Sequence, residues 1–507
     1  MPLNAGDTSY GSVPGPGLQS AAGGSEAVPL LIPEPESGRQ WEPMNRRELE
    51  VTAGGPGWRK VRCYLVLLFW LSWVSMLAVS IAIITISPRP VEAPLRWWQK
   101  SVFYQLEPEL LLEARGSEGI SAVCEQLPFL RSLGVGALIL EGLFKKEASP
   151  LNLTAVGRNS GTEAQIQHLL LESNKAGVKV VLDFCELDLS GHQDAARNSH
   201  EPSNFSASVK HALRHWLEKG VAGFAICDTD AAYSEKTLLE WRGIFKEFSA
   251  EEEERIVVVK QTADILRPLN SSGQINATMV NVVMRSILPY SHHILSTQEV
   301  ADAIEKHLQT QEGDLWPSWT VGGKTSHDLK KLLMVLMMTL PGSPAVQYDE
   351  QIDQTQHVYL EVDGETDEPS DTQAHPSLKD KRSAAALFTS LSRSRSREEA
   401  LLYGSFTFLP FNTSSSSSSS NSTFSSPSSP PVLAFLRSWG CVHFLVLLNI
   451  GPEVHPLDPN WASNLPEAGV FVTSTGMDRL GSTSLDTLQL QPHEAIVIKL
   501  FKEGGYS

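Results

Sequence analysis

The chain has 507 residues, a formal net charge of −17 and five cysteines. The acidic balance argues against nucleic acid as a partner and suits a solvated outer-surface domain. The low cysteine count excludes a small disulfide-rich scaffold, and the length is ample for one large α/β domain with a smaller second domain.

An uninterrupted apolar run from Cys63 to Ile86 contains no Asp, Glu, Lys, Arg or His. As a helix rising about 1.5 Å per residue it covers roughly 36 Å, which is enough to cross a hydrocarbon core of about 30 Å. The alternatives are a buried helix of a soluble domain and a cleaved signal peptide, but 62 residues precede the run and it is too long for a signal peptide. We predict a transmembrane helix over 59–87, behind a disordered tail over 1–58 that begins with a stretch rich in Gly, Pro, Ser and Ala.

Positive charge is concentrated before this helix. Arg59, Lys60 and Arg62 lie there, whereas Arg89 is followed by Glu92 at the other end. The positive-inside rule therefore places the tail in the cytoplasm and the rest of the chain outside. N-glycosylation triplets agree, because none precedes the helix and all six follow it, at Asn152, Asn204, Asn270, Asn276, Asn412 and Asn421. We predict a single-pass type II protein of the plasma membrane.

Short apolar strands alternate with helices from residue 97 onward, after a proline-containing neck over 88–96. Several helices end at a glycine that leads into the next strand, as at Gly134, Gly177 and Gly220. The predicted segments are, in chain order, a strand over 102–106, a helix over 124–133, a strand over 137–140, a helix over 163–175, a strand over 178–184, a helix over 209–219, and strands over 223–226 and 256–259. This repetition predicts an α/β fold with a parallel sheet, and its length suits a (β/α)8 TIM barrel over 97–402.

The pattern changes toward the end of the chain. A polar segment over 349–382 is predicted to be an irregular excursion, and a last barrel helix is predicted over 384–403. Only β-type segments follow, which predicts an antiparallel β-sandwich domain over 403–507, with strands over 432–436, 444–449, 470–474 and 495–501. A Ser-rich stretch over 412–431 cannot bury a core and is predicted to be a glycosylated loop.

The cysteines expected outside the cell show no close pairing and no zinc-ligand spacing. They are Cys124, Cys185, Cys227 and Cys441. We therefore expect the external part to be held together by its core and not by a disulfide framework, with no metal and no cofactor.

Four motifs in the expected order resemble the α-amylase superfamily of glycoside hydrolases. They are 97–105 (WWQKSVFYQ), 130–135 (LRSLGV), 176–183 (AGVKVVLD) and 340–344 (LPGSP). The resemblance covers roughly 97–507. It implies a barrel whose mouth would carry the paired carboxylates that cleave sugars.

The positions that match the catalytic groups of that family hold other residues. Cys227 stands where the resemblance places the nucleophilic Asp, and Ala225 stands where it places the supporting Arg. Lys260 and Gln261 occupy the place of the fifth-strand acid, and Thr325 occupies the place of the late Asp. Because three carboxylates are missing from three strands, we predict no catalytic residues and no enzyme activity.

Two ways of recovering activity are open. Asp228 lies beside Cys227, but neighbouring residues of a strand face opposite sides, so it cannot simply substitute. Cys227 could itself act as a nucleophile, although a buried thiol at a strand end is the commoner structural case. A glycosidase with relocated carboxylates would hydrolyse α-glucosides.

One subgroup of the superfamily combines an amylase-like external domain, a single membrane helix and an inactive site. The chain resembles this subgroup, the 4F2-type heavy-chain subunits of heteromeric amino-acid transporters. The shared details are 57–59 (GWR) before the helix, 67–71 (LLFWL) within it and a short loop over 189–203. The resemblance implies a non-catalytic accessory subunit that pairs with a multi-span light-chain transporter and brings it to the plasma membrane.

Small residues recur every three or four positions along the predicted membrane helix and share a face: Ser72, Ser75, Ala78, Ala82 and Thr85. We predict that this face contacts the light chain; the alternative is a helix that contacts membrane lipid on all sides. The resemblance also implies a neck cysteine bonded to the light chain, but Pro90 occupies that position. Any heterodimer is therefore predicted to be non-covalent.

A second function fits the same features. An inactive glycosidase fold on the cell surface could act alone as a recognition or adhesion module. That function predicts an external domain that binds its partner without the membrane helix, whereas an accessory subunit would co-purify with a multi-span transporter.

Overall fold

The structure is a computed structural model. It describes residues 44–86, 94–115, 119–144, 152–157, 160–185, 187, 189, 202–250, 253–262, 266, 280–288, 297–309, 315–322, 327–348, 376–409, 432–457 and 465–501. The chain divides into two compact units, 1–93 and 94–507, which are described separately.

The first unit contains two helices, α1 (Arg46–Ala53) and α2 (Pro56–Ile86). Asn45 caps α1 in a capping box with Glu48, which satisfies backbone donors at the helix start. The prediction of disorder over 1–58 is therefore wrong for 46–58, and residues 1–43 lie outside the described part of the chain. Helix α2, which contains the predicted membrane span, starts at Pro56, three residues before the predicted start, since proline fits the first turn of a helix.

The second unit begins with a closed barrel of eight parallel strands that neighbour one another in chain order. The strands are β1 (Val102–Leu106), β2 (Val135–Leu140), β3 (Lys179–Asp183), β4 (Gly223–Cys227), β5 (Ile256–Lys260), β6 (Val282–Ser286), β7 (Trp316–Thr320) and β8 (Ser343–Gln347). Alternate residues of the strands point inward, and Phe103, Ile139 and Val258 belong to the apolar cluster that fills the barrel. The (β/α)8 barrel predicted from the sequence is confirmed.

Helices surround this barrel, and all but the first bury apolar residues against the outer side of the strands. The first, which precedes the barrel strands, buries Trp98 against the residues inside the barrel. The helices are α3 (Trp97–Lys100), α4 (Pro108–Arg115), α5 (Gly119–Leu133), α6 (Glu163–Ala176), α7 (Pro202–Glu218), α8 (Glu235–Phe248), α9 (Thr297–Gln309), α10 (His327–Thr339), α11 (Pro376–Arg397) and α12 (Glu399–Leu402). Thr162 caps the start of α6, and Gly177 ends it with a φ of 71°, a conformation that glycine adopts without strain. Helix α11 starts at Pro376, so the predicted irregular excursion over 349–382 is wrong for its last seven residues.

The end of the chain forms antiparallel β-structure, as predicted. Its strands are β9 (Ser405–Leu409), β10 (Val432–Trp439), β11 (Val442–Asn449), β12 (His455–Pro456), β13 (Ala468–Ser474), β14 (Ser482–Ser484), β15 (Gln489–Leu490) and β16 (Ala495–Phe501). Six of them form one sheet in the order β14-β13-β16-β11-β10-β9, and β12 pairs with β15. One face of the sheet packs into the same core as the barrel helices, and the other is covered by a second apolar cluster that includes Leu457 and Leu490.

Two buried arginines bind backbone carbonyls where the barrel meets this sheet, and one of them, Arg437, joins the two directly. Arg437 on β10 donates to the carbonyl oxygens of Thr339 (2.8 Å), Leu401 (3.0 Å) and Gly404 (3.0 Å). Arg395 on α11 donates to the carbonyl oxygens at the end of α10 and in the turn that follows, those of Met338, Leu340 and Gly342. The positive charges therefore face the negative end of the α10 dipole. Burial lowers the pKa of both guanidinium groups, and for Arg437 the neighbouring charge of Arg395 acts in the same direction.

Candidate functional site

Four charged residues meet at the carboxyl ends of the first barrel strands, and we call them the mouth cluster: Glu107, Glu141, Asp183 and Lys260. Glu107 and Glu141 directly follow β1 and β2, whereas Asp183 and Lys260 are the last residues of β3 and β5. The carboxyl ends of parallel strands converge in a barrel, which is why residues far apart in the chain meet here. A cavity of about 230 Å³ lies among them and is also lined by Phe144 and Leu187.

Lys260 is the centre of the mouth cluster. Its Nζ lies 2.5 Å from Glu141 Oε1 and 2.8 Å from Asp183 Oδ2, and only 16% of its side chain is exposed. Burial acts to lower the pKa of Lys260, but the carboxylates of Asp183 and Glu141 outweigh it and raise that pKa above its ordinary value. The ammonium group is therefore charged at neutral pH, and it binds both carboxylates at once.

The positions predicted to have lost catalytic groups lie around this mouth. Ala225 and Cys227 are on β4 at inward register, and both are buried. Gln261 follows β5 and is buried, with its backbone N–H donated to the carbonyl of Met284 at 2.9 Å. Thr325 lies outside the described residues.

Cys227 is not a free thiol. It forms a disulfide with Cys185, which follows β3, and their Cα atoms are 4.8 Å apart. The expectation of a core thiol at Cys227 is therefore wrong, because the adjacent ends of β3 and β4 bring together two cysteines that are 42 residues apart. Within the described chain Cys63, Cys124 and Cys441 are free.

Asp228 does not take over the position of Cys227. It is buried, and its Oδ1 accepts hydrogen bonds from Thr262 N (2.9 Å) and Thr262 Oγ1 (2.6 Å). Since strand side chains alternate, the carboxylate that follows Cys227 is used to bind the loop after β5.

The mouth differs from a working glycosidase site in its chemistry. A retaining enzyme needs a carboxylate nucleophile and a separate acid about 5 to 5.5 Å away, with the sugar between them. Here Glu141 and Asp183 share one ammonium group, and Lys260 supplies it from a position where the resemblance implies an acid. Sequence reasoning named Lys260 but missed Glu107 and Glu141; their place directly after predicted strands was the signal that could have identified them.

The opposite end of the barrel, its base, carries a second polar cluster around Glu254, which we call the base cluster. Glu254 pairs with Arg96, accepts from Trp98 Nε1 at 3.3 Å and from Asn281 Nδ2 at 3.3 Å, and its backbone carbonyl accepts from Trp97 Nε1 at 2.9 Å. Trp98 is buried beneath the barrel. The base cluster therefore fixes the segment through which the chain enters the barrel.

Helix α2 is the one membrane-span candidate among the described residues, with 26 residues, Gly57–Ala82, at a mean hydropathy of 2.2. Its side chains are exposed in the structure, including those of Ser72, Ser75, Ala78 and Ala82. The side chain of Thr85 and the whole of Pro90 lie outside the described residues.

One glycosylation triplet can be placed. Asn152 is exposed, and its side-chain oxygen accepts from the backbone N–H and the hydroxyl of Thr154. Asn204 lies on α7, with its side chain outside the described residues, as are Asn270, Asn276, Asn412 and Asn421.

The fold is that of the α-amylase-like glycosidases. Bacillus licheniformis trehalose-6-phosphate hydrolase has a solved structure that matches 80% of this chain and 100% of its own, with a TM-score of 0.55 and 13% sequence identity. This similarity defines the class of protein by fold alone: an amylase-like barrel with a β-domain after it.

Sequence comparisons narrow the class. The family model described as the solute carrier family 3 member 2 N-terminus matches residues 32–104. The rabbit (Oryctolagus cuniculus) amino acid transporter heavy chain SLC3A2 is 28% identical over 94% of this chain and 92% of its own length. The human (Homo sapiens) amino acid transporter heavy chain SLC3A1 is 21% identical over 56% of this chain and 58% of its own. The predicted resemblance to transporter heavy chains is thereby confirmed, and it extends over nearly the whole chain.

Proposed function

We propose that this protein is a non-catalytic heavy-chain subunit that associates with a multi-span light-chain amino-acid transporter and brings it to, or stabilises it at, the plasma membrane. The observation that carries the proposal is the similarity to transporter heavy chains along almost the full chain, membrane helix included. An amylase-like fold alone would point equally to an enzyme.

The geometry of the mouth supports the non-catalytic part of the proposal. Cys227 is bonded to Cys185 at the position matching the nucleophile, and Lys260 binds the two carboxylates that approach it most closely. In a glycosidase a carboxylic acid protonates the glycosidic oxygen of the leaving group. An ammonium group that is paired with two carboxylates is not equivalent to that acid.

The membrane helix supports the association. Ser72, Ser75, Ala78 and Ala82 lie on one side of α2, and small residues allow a neighbouring helix to approach closely. Pro90 stands in the neck where the heavy-chain resemblance implies a bridging cysteine. We infer a non-covalent heterodimer, with the remaining surface of α2 in contact with lipid.

The topology follows from charge. Arg59, Lys60 and Arg62 at the start of α2 favour a cytoplasmic N-terminus, which leaves the barrel, the β-domain and the exposed Asn152 outside the cell. A glycosylated, type II single-pass protein is the arrangement we propose.

Affinity capture of the tagged full chain from membranes, in mild detergent, tests the association. We expect a multi-span amino-acid transporter to be captured in stoichiometric amount. Because the proposed heterodimer is non-covalent, the transporter should run at its monomer mass on both reducing and non-reducing gels. A Pro90→Cys variant should convert part of it into a heterodimer that reductant dissociates.

A matched pair of substitutions tests the helix face. Ala78→Leu places a large side chain on the proposed contact face, whereas Ser80→Leu places one on the other side of α2. Recovery of the transporter should fall several-fold with Ala78→Leu and stay unchanged with Ser80→Leu. Capture of no transporter, or equal capture by a chain without α2, would instead favour the surface recognition module.

A further inference from the structure

Three potential metal ligands meet beside the mouth cavity. They are the sulfur atoms of Cys185 and Cys227 and a carboxylate oxygen of Asp230, and all three atoms lie within 4.8 Å of one another. In the structure the two sulfur atoms are bonded to each other, so neither is a thiolate.

The fold holds these three residues together whether or not the sulfur atoms are bonded. Cys185 lies two residues after the end of β3, and Cys227 is the last residue of the neighbouring strand β4. The backbone N–H of Cys227 donates to Asp230 Oδ2 at 2.7 Å, and the backbone N–H of Asp230 donates to the carbonyl of Cys227 at 3.1 Å. The carboxylate is therefore fixed to the backbone of one of the cysteines.

A tetrahedral zinc ion can bind these three atoms once the S–S bond is broken and the two sulfur atoms have moved apart. Bonds of about 2.3 Å to sulfur and 2.0 to 2.2 Å to oxygen hold the ligand atoms roughly 3.5 to 3.8 Å apart. Two thiolates and one carboxylate leave the fourth position for water. Soft sulfur ligands favour zinc over calcium and magnesium.

The disulfide is open to a reductant from one side. Cys185 is partly exposed and lines the cavity, whereas Cys227 is 2% exposed. A dithiol can therefore attack the Cys185 sulfur, form a mixed disulfide and release Cys227 as the thiol. Its second thiol then displaces Cys185, so that two electrons and two protons pass to the protein and the dithiol becomes a disulfide.

We propose that Cys185, Cys227 and Asp230 form a redox-gated site for a thiophilic divalent metal ion such as Zn²⁺. The site is closed while the disulfide is intact. After reduction each thiol releases a proton as it binds the metal, and the ion then joins the ends of β3 and β4 in place of the S–S bond. The proposal is independent of any role as a transporter subunit.

Cobalt(II) is the probe that tests it, because thiolate coordination gives an intense charge-transfer absorption. The full-length chain in detergent is reduced with a dithiol, desalted under argon and titrated with Co²⁺, alongside an untreated sample. We expect one equivalent of Co²⁺ with the charge-transfer band in the reduced sample, displacement by Zn²⁺, and no band in the untreated sample.

Variants locate the ligands. Cys185→Ser and Cys227→Ser should abolish the band, and Asp230→Asn should weaken Co²⁺ affinity about tenfold or more. Asp228→Asn is the matched control carboxylate, and Cys124→Ser controls for the thiol that lies 3.4 Å from His168 Nδ1; both should bind like the unaltered chain.

A second measurement needs no variant. Zn²⁺ added to the reduced chain should protect two cysteines, identified by peptide mapping as Cys185 and Cys227, from alkylation by N-ethylmaleimide. No band after reduction, an equal band without reduction, or a band that survives in Cys227→Ser and disappears in Cys124→Ser would overturn the proposal.

Discussion

The two ends of the barrel use buried charge in different ways. At the mouth, Lys260 binds Glu141 and Asp183 beside a cavity of about 230 Å³, so charged groups with opposite signs satisfy each other in a partly open space. At the base, Glu254 binds donors from three residues in two segments, and Arg395 and Arg437 bind only backbone carbonyls within the described chain.

This difference indicates what each end does. In (β/α)8 enzymes the mouth carries catalysis and the base carries stability. Here the base retains its structural role, and it also fixes the segment that leads from the membrane helix. At the mouth Lys260 pairs with Glu141 and Asp183, so that its charges join the ends of β2, β3 and β5. Substitutions at the base should therefore cost more stability than substitutions of charges at the mouth.

The largest effect is expected at Arg437. Arg437→Met keeps the bulk of the side chain but leaves the carbonyls of Thr339, Leu401 and Gly404 without this donor. At about 1 to 3 kcal/mol for each unsatisfied buried group, we expect a total cost of about 3 to 5 kcal/mol. Thermal unfolding of the full chain followed by circular dichroism measures the loss. Arg397→Met, an exposed position on α11, is the control and should cost less than about 0.5 kcal/mol.

The disulfide is the exception expected at the mouth. Replacing both Cys185 and Cys227 by Ser removes a cross-link that spans 42 residues, which should destabilise the chain by about 3 to 4 kcal/mol. The same unfolding measurement applies, with Cys441→Ser as the control thiol. A double variant as stable as the unaltered chain would show that this cross-link does not constrain the barrel.

An intermediate effect is expected at Glu254. Glu254→Ala leaves Arg96, Trp98 and Asn281 without their shared acceptor, at an expected cost of about 2 to 3 kcal/mol. The neighbouring Glu253 pairs with Lys179 at 2.9 Å but is half exposed, so Glu253→Ala should cost about 1 kcal/mol or less. If the two variants lost the same unfolding free energy, the base cluster would contribute no more to stability than a surface ion pair.

The smallest effect is expected at Lys260, where Lys260→Met should cost about 1 to 2 kcal/mol. The raised pKa of Lys260 sets the sign of its pH dependence. Its contribution is complete below its unfolded pKa of about 10.4 and is lost as pH rises through the higher folded pKa. The difference between variant and unaltered chain should therefore be constant from pH 7 to 9 and shrink above about pH 10.5. A difference that grows with pH would contradict the ion cluster.

The sequence predicted the fold well where local signals are strong. The apolar run gave the membrane helix, and helices ending at Gly134 and Gly177 gave the βα order. Strands β6 to β8 were not separated from one another, because Trp316–Thr320 and Ser343–Gln347 contain proline and serine inside a buried strand. Helix α1 was missed because its sequence is polar and its main signal is the Asn45 cap.

The site was predicted less completely. Comparison of the sequence with the motifs of the α-amylase superfamily was enough to show that Cys227 and Gln261 replace the expected acids. The Cys185–Cys227 bond and the Lys260 ion cluster depend on which strand ends are neighbours in space, and spacing along the chain does not reveal that. Glu141 acquires its role only because β2 and β5 converge at the same mouth.

Uptake of a radiolabelled large neutral amino acid tests the central claim most directly. Cells expressing the captured transporter with this chain are compared with cells expressing the transporter alone. We predict a several-fold increase in uptake that requires α2 and is preserved in Lys260→Met, since in the proposed function the mouth performs no chemistry. Unchanged uptake, with hydrolysis of an α-glucoside by the unaltered chain and none by Lys260→Met, would contradict a subunit that works by holding its partner.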